Sequence, residues 1–484
     1  MMLEPLVREH ALLTSTAAVL SWDQETYMPS GAIAYRADQL AYLSGKAHEL
    51  LTSAQYGEAL ELAEQDLELD VHDLRELRHS YDQALKLSTE FVERSARANA
   101  TGQATWAEAR EKSDFSLFAP ALQELVSIAR EKADAYGYVD ERYDALLGEY
   151  ERNASTAQVS QLLDELIEGL VPLAAEAVER SKSVPADRLG GHYPIAKQKE
   201  LNRQIAESLG YDFNEGRIDT TAHPFCTTLG PRDVRLTTRY DERDFTSSLL
   251  GVLHETGHGL YEQGLPADRF HLPAGQAVSL GIHESQSRLW ENHIGSSRAF
   301  WEKWLPVAQE MFENLKALSV DEFLKSIYRA SYTPVRVEAD EVTYDLHIAL
   351  RFKIERMIIN DEITVGEIPD IWNGLFESYF GFRPKNDAEG CLQDIHWAMG
   401  GLGYFPTYSL GNLNAAQLFE AAAKDESVKA GLEMADYLPV LEWQREHVHS
   451  QGSRLFPQDL MIQATGSPTK VSPYLEHLRK RFLP

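Results

Sequence analysis

Apolar residues recur at three- and four-residue spacing along most of the chain, which is the pattern of amphipathic α-helices. In the range 158–181 the leucines fall on one face and the charged residues on the other. The sequence reads as helical from its start to about Asp219 and again after Glu284. In the range 340–358 the apolar residues also lie on one side and the charges on the other. The pattern therefore predicts a mainly α fold.

Strand signal is concentrated in one place, residues 222–240. There Val234, Leu236 and Thr238 alternate with arginine and threonine at a period of two, as in a half-buried strand. Residues 223–229 can pair with this strand as a hairpin. Two interpretations stay open: a purely structural hairpin, or a small sheet whose edge strand hydrogen-bonds an extended peptide.

Residues 253–259 read LHETGHG and place two histidines four residues apart. On a helix this spacing puts the imidazoles of His254 and His258 on one face, where they can hold one metal ion. Glu255 points about 100° away from them, which suits a base that takes a proton from water. This is the HExxH pattern of zinc hydrolases, and the same ligands would also accept Co²⁺ or Mn²⁺.

The residues around the motif predict the helix that carries it. Leucines and Val252 supply apolar positions upstream of the histidines. Asp244 or Thr246 can cap the start of the helix, and Gly264 followed by Pro266 can end it.

A catalytic zinc site usually has three protein ligands, and a second helix is predicted over residues 277–295. Glu284 and His283 on that helix compete for the third position. They point to different faces, so one of them at most is expected to bind the metal. Glu284 is favoured, because two histidines and a glutamate form a known catalytic set. His283 is then expected beside a ligand or in the core.

Composition limits the class of protein and of partner. The chain has 484 residues, and its shares of 43% hydrophobic and 25% charged residues are those of a soluble globular protein. A formal net charge of −29 argues against nucleic acid or an anionic membrane as partner. Cys226 and Cys391 are expected to be reduced thiols. Without a basic leader or a long apolar run, the sequence predicts a cytoplasmic protein.

Several further motifs occur in a fixed order. They are SWDQETYMP at 21–29, HPF at 223–225, DVRLT at 233–237, HETGH at 254–258, HES at 283–285, VRVEAD at 335–340, GCLQDIHW at 390–397 and GYFPTY at 403–408. In this order they resemble the thermostable carboxypeptidase Taq family of zinc metallocarboxypeptidases, nearly from end to end. Val335 and Cys391 depart mildly from the family pattern, which has isoleucine and valine there.

The resemblance implies one large helical unit with a deep substrate cleft and a small β-hairpin or sheet beside the HExxH helix. It implies a single catalytic domain over residues 1–484. Within that domain, helices of residues 1–220 would roof the cleft, residues 221–242 would form the small β element, and residues 243–484 would hold the zinc site and the C-terminal helices. It also implies a homodimer.

The resemblance further implies removal of C-terminal amino acids from peptides, with broad specificity, by metal-activated water and Glu255 as general base. A neutral donor must stabilise the oxyanion that forms in such a reaction. His396, Tyr404 and Tyr408 are the candidates, because they lie in family motifs and around a glycine-rich stretch.

A carboxypeptidase needs a cation that faces the terminal carboxylate of its substrate. Arg336 is the first candidate and Arg235, on the predicted edge strand, is the second. An equally weighted alternative is that Arg336 forms a buried ion pair with Asp340. Gln393 and Asp394 are expected to be a structural pair.

Three rival functions stay open at this point. An oligopeptidase or dipeptidyl carboxypeptidase would use the same metal site. A helical peptide-binding protein would hold zinc only structurally, although structural sites are usually rich in cysteine and need no glutamate base. An acidic helical scaffold would bind no metal.

Overall fold

The computed structural model describes residues 2–66, 69–221 and 223–484, and helices dominate it, as the periodicity predicts. The helices are α1 (Leu3–Thr26), α2 (Ile33–Leu51), α3 (Ala54–Asp66), α4 (Val71–Leu85), α5 (Thr89–Lys112), α6 (Phe115–Tyr136), α7 (Arg142–Leu147), α8 (Thr156–Ser181), α9 (Ile195–Ser208), α10 (Phe245–Gly264), α11 (Leu280–Arg288), α12 (Arg298–Met311), α13 (Val320–Ile327), α14 (Tyr344–Ile359), α15 (Ile368–Phe380), α16 (Pro406–Ala422), α17 (Glu426–Met434), α18 (Leu438–His447), α19 (Pro457–Thr465) and α20 (Ser472–Phe482). Among the described residues, no helix has both the length and the apolar character to cross a bilayer.

The chain forms two compact units, each built from three separate segments. Unit 1 comprises Met1–Leu85, Ala186–Ile327 and Asn414–Pro468. Unit 2 comprises Lys86–Pro185, Tyr328–Leu413 and Thr469–Pro484. The organisation as one catalytic domain divided at residues 220 and 242 stays a prediction.

A small sheet in unit 1 contains the strands β1 (Gly216–Thr220), β2 (Cys226–Gly230) and β3 (Asp233–Thr238). The strands β2 and β3 form the predicted antiparallel hairpin, while β1 runs parallel to β3 and gives the order β1-β3-β2. The strand β1 lies where the sequence reads as helical. Because β3 is the central strand, the prediction that Arg235 lies on an edge strand is wrong. Ala222, at the start of the predicted strand region, lies outside the described residues.

The helix α10 follows the sheet and has the predicted limits. The Asp244 carboxylate accepts hydrogen bonds from the backbone N–H groups of Thr246 and Ser247, so Asp244, and not Thr246, is the cap. Leu249 and Leu253 are fully buried, and the helix packs on β3 and α11. The local sequence thus fixes where the helix starts, and its apolar face docks it on the sheet.

The helix α14 in unit 2 buries several of its charged residues, which the separation of apolar and charged sides in the sequence does not predict. Asp345, Arg351 and Glu355 are all fully buried. Each has polar partners on other segments: Ser409 and Asn412 donate to Asp345, and Arg351 donates to Asp394. Burial of these charges is tolerated because they are paired.

Candidate metal centre and active-site residues

The helices α10 and α11 bring the three predicted metal ligands together in unit 1. Nε2 of His254 and Nε2 of His258 each lie 3.6 Å from Oε2 of Glu284. One atom from each residue lies within 4.8 Å of the other two. Two ligands bound to zinc at about 2.1 Å in a tetrahedron are about 3.4 Å apart, so this group fits such an ion.

A glycine inside the HExxH motif allows this close approach of the two helices. A Cβ atom on Gly257 would lie 2.5 Å from the carbonyl oxygen of Gln286 and 2.6 Å from Cα of Ser287. Both atoms belong to the backbone of α11 and cannot move aside as a flexible side chain could. The absence of a side chain at Gly257 is therefore what sets the distance between the ligand-bearing helices.

The outward nitrogens of both histidines have acceptors that orient the rings. Nδ1 of His254 lies 2.9 Å from Oε2 of Glu291, and Nδ1 of His258 lies 3.1 Å from the carbonyl oxygen of His283. These contacts leave Nε2 of each ring directed at Glu284. Arg288 donates to both Glu284 and Glu291 and fixes the two carboxylates. Such partners set the tautomer and orientation of metal-binding histidines.

His283 is not in the ligand group, as expected from its position on another face of α11. Its Nδ1 lies 2.6 Å from Nδ1 of His258, and its Nε2 lies 2.9 Å from Oε1 of Glu262. Thr228 of β2 donates to the other oxygen of Glu262. His283 therefore connects His258 to the end of α10 and to the sheet.

Glu255 is buried, with 6% of its surface exposed. Its Oε2 atom has no hydrogen-bond partner within the described residues. A buried carboxylate oxygen of this kind requires a partner, and a water at the metal group can be that partner. Burial raises the pKa of Glu255 to about 7, where a carboxylate can both accept and release a proton.

The charges of the site favour a cation. Burial opposes protonation of His254, but the carboxylates of Glu284 and Glu291 outweigh it and raise the pKa of His254 to about 9. Burial and the neighbouring His283 hold the pKa of His258 well below its usual value. The carboxylates thus attract positive charge to the same point at which the three ligand atoms converge.

Arg336, in unit 2, makes a buried ion pair with Asp394 and not with Asp340. Its Nε and Nη2 donate to Oδ1 of Asp394 at 3.1 and 2.8 Å, and its Nη1 donates to the Tyr344 hydroxyl. The alternative pairing with Asp340 is wrong, because Asp340 accepts from the backbone of Ser331 instead. Although burial opposes ionisation, the guanidinium groups beside Asp394 hold the pKa of this carboxyl well below its usual range.

The other predicted residues of unit 2 lie close together. Nε2 of His396 is 3.3 Å from the Tyr408 hydroxyl, and the rings of Tyr404 and Tyr408 pack edge to face. Arg336 lies over the Tyr408 ring at 5.2 Å. Burial lowers the pKa of His396 to about 4, so its imidazole is neutral at pH 7. Tyr408 lies in the first turn of α16, after the glycine-rich stretch.

Arg235 in unit 1 is already engaged. Its Nε and Nη2 bind both oxygens of Asp233 at 2.7 and 2.8 Å, and its guanidinium lies 4.3 Å from the ring centre of Trp22. The early SWDQETYMP motif therefore supplies an aromatic contact to the sheet, which the sequence did not reveal. The sequence also missed Glu291, although its position seven residues after Glu284 on a predicted helix was a usable signal.

Comparison with known proteins identifies the family. The model of the carboxypeptidase Taq (M32) metallopeptidase family matches residues 2–482. Thermostable carboxypeptidase 1 of Thermus thermophilus is 38% identical, over 98% of this chain and 96% of the relative. Carboxypeptidase 1 of Bacillus subtilis is 36% identical, over 99% of this chain and 96% of the relative.

Solved structures agree with this assignment. The M32 carboxypeptidase of Deinococcus radiodurans superposes with a TM-score of 0.96 at 35% identity, covering 99% of this chain and 98% of that one. Metallocarboxypeptidase 1 of Trypanosoma cruzi gives a TM-score of 0.94 at 35% identity, covering 100% of this chain and 99% of that one. The chain belongs to the carboxypeptidase Taq (M32) family of metallopeptidases, and it is a metallocarboxypeptidase that hydrolyses peptide bonds.

Proposed function

We propose that this enzyme is zinc-dependent and removes C-terminal amino acids from peptides one at a time, with broad specificity. His254, His258 and Glu284 would hold the zinc ion. When bound, zinc would polarise the scissile carbonyl and lower the pKa of a water to about 7. The observation that carries the proposal is the convergence of two imidazoles and a carboxylate beside a buried glutamate with an unpartnered oxygen.

Glu255 is proposed as the general base. Its Oε2 atom would take a proton from the attacking water and then deliver it to the amine of the departing residue. Burial raises the pKa of Glu255 above its usual value, which makes it a stronger base toward the water. Burial keeps bulk water away from the carboxylate, so that the proton stays with the reacting groups.

His396, Tyr404 and Tyr408 are proposed as donors to the oxyanion. Such a donor has to be neutral before the reaction and has to point a hydrogen at the developing charge. The low pKa of His396 keeps it neutral, and its contact with the Tyr408 hydroxyl gives the pair a fixed mutual geometry. These are the properties on which the assignment rests, together with the family motifs.

Arg336 is proposed as the cation for the terminal carboxylate of the substrate, in preference to Arg235. Arg336 and Arg351 share the single carboxylate of Asp394, which leaves this buried group with one net positive charge. Arg235 has its own carboxylate, Asp233, and the pair is neutral. A net positive charge in a buried environment attracts an anion much more strongly than a neutral pair does.

The remaining proposals concern the enzyme's surroundings. Peptides are its substrates, and the net charge of −29 supports the exclusion of nucleic acid and anionic membranes as partners. Assembly as a homodimer and residence in the cytoplasm stay predictions from the resemblance and the sequence.

The substitution Glu255→Gln tests the mechanism, because glutamine has nearly the same shape but cannot accept a proton. We expect the variant to retain one zinc ion per chain and to lose at least about 1,000-fold in kcat. Metal analysis and time-resolved mass spectrometry of a peptide digest provide the measurements. Glu302→Gln, at an exposed position on α12, is the matched control and should behave as the wild type. Full activity of Glu255→Gln would rule out the proposed base.

The same digest separates the rival functions. A carboxypeptidase gives products that shorten by one residue from the C-terminus, and amidation of that terminus stops the reaction. A dipeptidyl carboxypeptidase gives steps of two residues, whereas an oligopeptidase cleaves the amidated peptide as well. A peptide-binding protein with structural zinc gives bound peptide and no products.

A further inference from the structure

Glu355 lies on α14 in unit 2 and has no exposed surface. Its carboxylate accepts three hydrogen bonds, one from α7 and two from the stretch 397–403. The Tyr143 hydroxyl donates to Oε2 at 2.6 Å, the Trp397 indole nitrogen donates to Oε1 at 2.7 Å, and the backbone nitrogen of Gly403 donates to Oε2 at 3.0 Å. A buried carboxylate with this many donors is a strong and directional connection.

Two of the three donors are direct neighbours of proposed catalytic residues. Trp397 follows His396, and Gly403 precedes Tyr404. Gly403 has a φ of +94°, and a Cβ atom there would lie 2.8 Å from the backbone of Leu146, so this segment is held close to α7. Glu355 therefore fixes both ends of the stretch 397–403, which is flanked by His396 and Tyr404.

Arg351 supports the same stretch one turn earlier on α14. Its Nε donates to Oδ2 of Asp394 at 2.7 Å, two residues before His396. Residues four apart on a helix share a face, so Arg351 and Glu355 present one buried polar surface to the segment 394–403. The proposed reaction depends on the positions of His396 and Tyr404. Among the residues that the structure describes, Glu355 bonds to neither of them and contacts only Tyr143, Trp397 and Gly403 through its hydrogen bonds.

We propose that Glu355 is a positioning residue for peptide hydrolysis, acting through Trp397 and Gly403 on His396 and Tyr404. This inference rests on the proposed roles of those two residues. Its physical basis is that catalytic donors lose effect steeply with small displacements, so that a shift of about 1 Å can cost about 100-fold in rate. A helix held rigidly by tertiary contacts is a better support for such donors than a loop alone.

The substitution Glu355→Gln tests the proposal. Glutamine keeps the shape but replaces one acceptor oxygen by a donor, so at least one of the three hydrogen bonds is lost. We expect kcat to fall about 10- to 100-fold, with KM within about twofold of the wild type and zinc content unchanged. Trp397→Phe removes only the indole donor and should lower kcat in the same direction. It serves as the second variant if Glu355→Gln does not fold.

Asp144→Asn is the matched control. Asp144 is also a buried carboxylate of unit 2 that accepts three backbone hydrogen bonds, from Asp140, Glu141 and Thr156. None of these donors belongs to the segment 394–403. We expect Asp144→Asn to lower the unfolding temperature while kcat, measured well below that temperature, stays at the wild-type value.

A double-mutant cycle with His396→Gln separates positioning from a general loss of stability. If Glu355 acts partly through His396, the double variant should lose less activation free energy than the sum of the two separate losses. The proposal is overturned if Glu355→Gln and Trp397→Phe both keep the wild-type kcat, if Asp144→Asn is equally impaired, or if the two losses simply add.

Failure of the proposed function would be visible in other data. Cleavage of a C-terminally amidated peptide by the wild type would refute the proposed specificity and still leave the rates of Glu355→Gln and Asp144→Asn open to comparison. A fully active His396→Gln would refute the role of His396, and with it the part of the Glu355 route that runs through Trp397.

Discussion

A missing side chain at Gly257 determines the separation of α10 and α11, and this position gives a direct prediction. In Gly257→Ala the new methyl group meets the backbone of Gln286 and Ser287 at about the distances given above, so α11 has to move. We expect a loss of about 1–3 kcal/mol in the free energy of unfolding and weaker zinc binding, because Glu284 moves with α11. Denaturant titration and competition with a chelator measure the two effects.

Gly251→Ala provides the control on the same helix. A Cβ atom on Gly251 would meet only Thr238 Oγ1 at 3.5 Å, which is an ordinary contact. Alanine also favours a helix over glycine by about 1 kcal/mol, so this variant should be as stable as the wild type or more so. An unchanged zinc affinity in Gly257→Ala would show that the approach of the helices does not set the ligand geometry.

At the scale of secondary-structure elements, the buried carboxylate on α14 predicts a pH dependence of stability. Burial raises the pKa of Glu355 from 4.5 to about 7, although its hydrogen bond from Tyr143 and the positive charge of Arg351 act in the opposite direction. The protonated form is thus favoured in the folded state. The stability that protonated Glu355 adds to the folded state is fully present below about pH 4.5 and is lost as the pH rises through about 7.

The comparison of the wild type with Glu355→Gln tests this dependence. Between about pH 4.5 and 8 the wild type should lose up to about 3 kcal/mol of unfolding free energy relative to the variant, which cannot titrate there. The pKa of Asp144 shifts in the opposite direction: burial opposes ionisation, but the hydrogen bonds to the carboxylate outweigh it and lower the pKa. The difference between the wild type and Asp144→Asn should therefore stay constant above about pH 4.5. If the unfolding free energies of the wild type and Glu355→Gln changed with pH in parallel, the raised pKa of Glu355 would be contradicted.

Elements whose signals are local could be predicted from the sequence. The limits of α10 follow from Asp244 and from Gly264 with its neighbouring proline, and the shared face of His254 and His258 follows from a four-residue spacing. Strand β1 could not be predicted, because its partner β3 lies beyond another strand and its five residues carry no clear alternation. A parallel pairing of this kind is a tertiary effect that overrides local propensity.

The partners of buried charges could not be predicted either. Asp340 stands four residues from Arg336, yet the ion pair is made with Asp394, which is 58 residues away in sequence. The burial of Asp345 and Arg351 on α14 could not be predicted for the same reason, because their partners are also distant in sequence. A helical pattern indicates which residues share a face, but whether a charged face is solvated or buried depends on residues brought to it by the fold.

At the scale of the whole molecule, the net charge of −29 predicts a preference among substrates. A strongly negative enzyme attracts cationic peptides and repels anionic ones over a Debye length, which falls from about 30 Å at 0.01 M salt to about 3 Å at 1 M. We expect kcat/KM to be higher for lysine-rich than for glutamate-rich peptides at low salt. The ratio should approach one as salt rises, whereas an uncharged alanine peptide should change little. A salt-independent ratio would place the selectivity in local contacts.

The turn between Leu289 and Ile294 has a consequence for changes in chain length. This turn is π-helical, and the N–H of Gly295 bonds to the carbonyl of Trp290, five residues back. Loss of one residue just before Glu291 would rotate that carboxylate by about 100° and remove the acceptor of His254. Indels in this short stretch are therefore expected to be far less tolerated than in a surface loop. In a library of single-codon deletions sorted for zinc retention, we expect deletions within residues 289–294 to be absent, while deletions in surface loops are recovered.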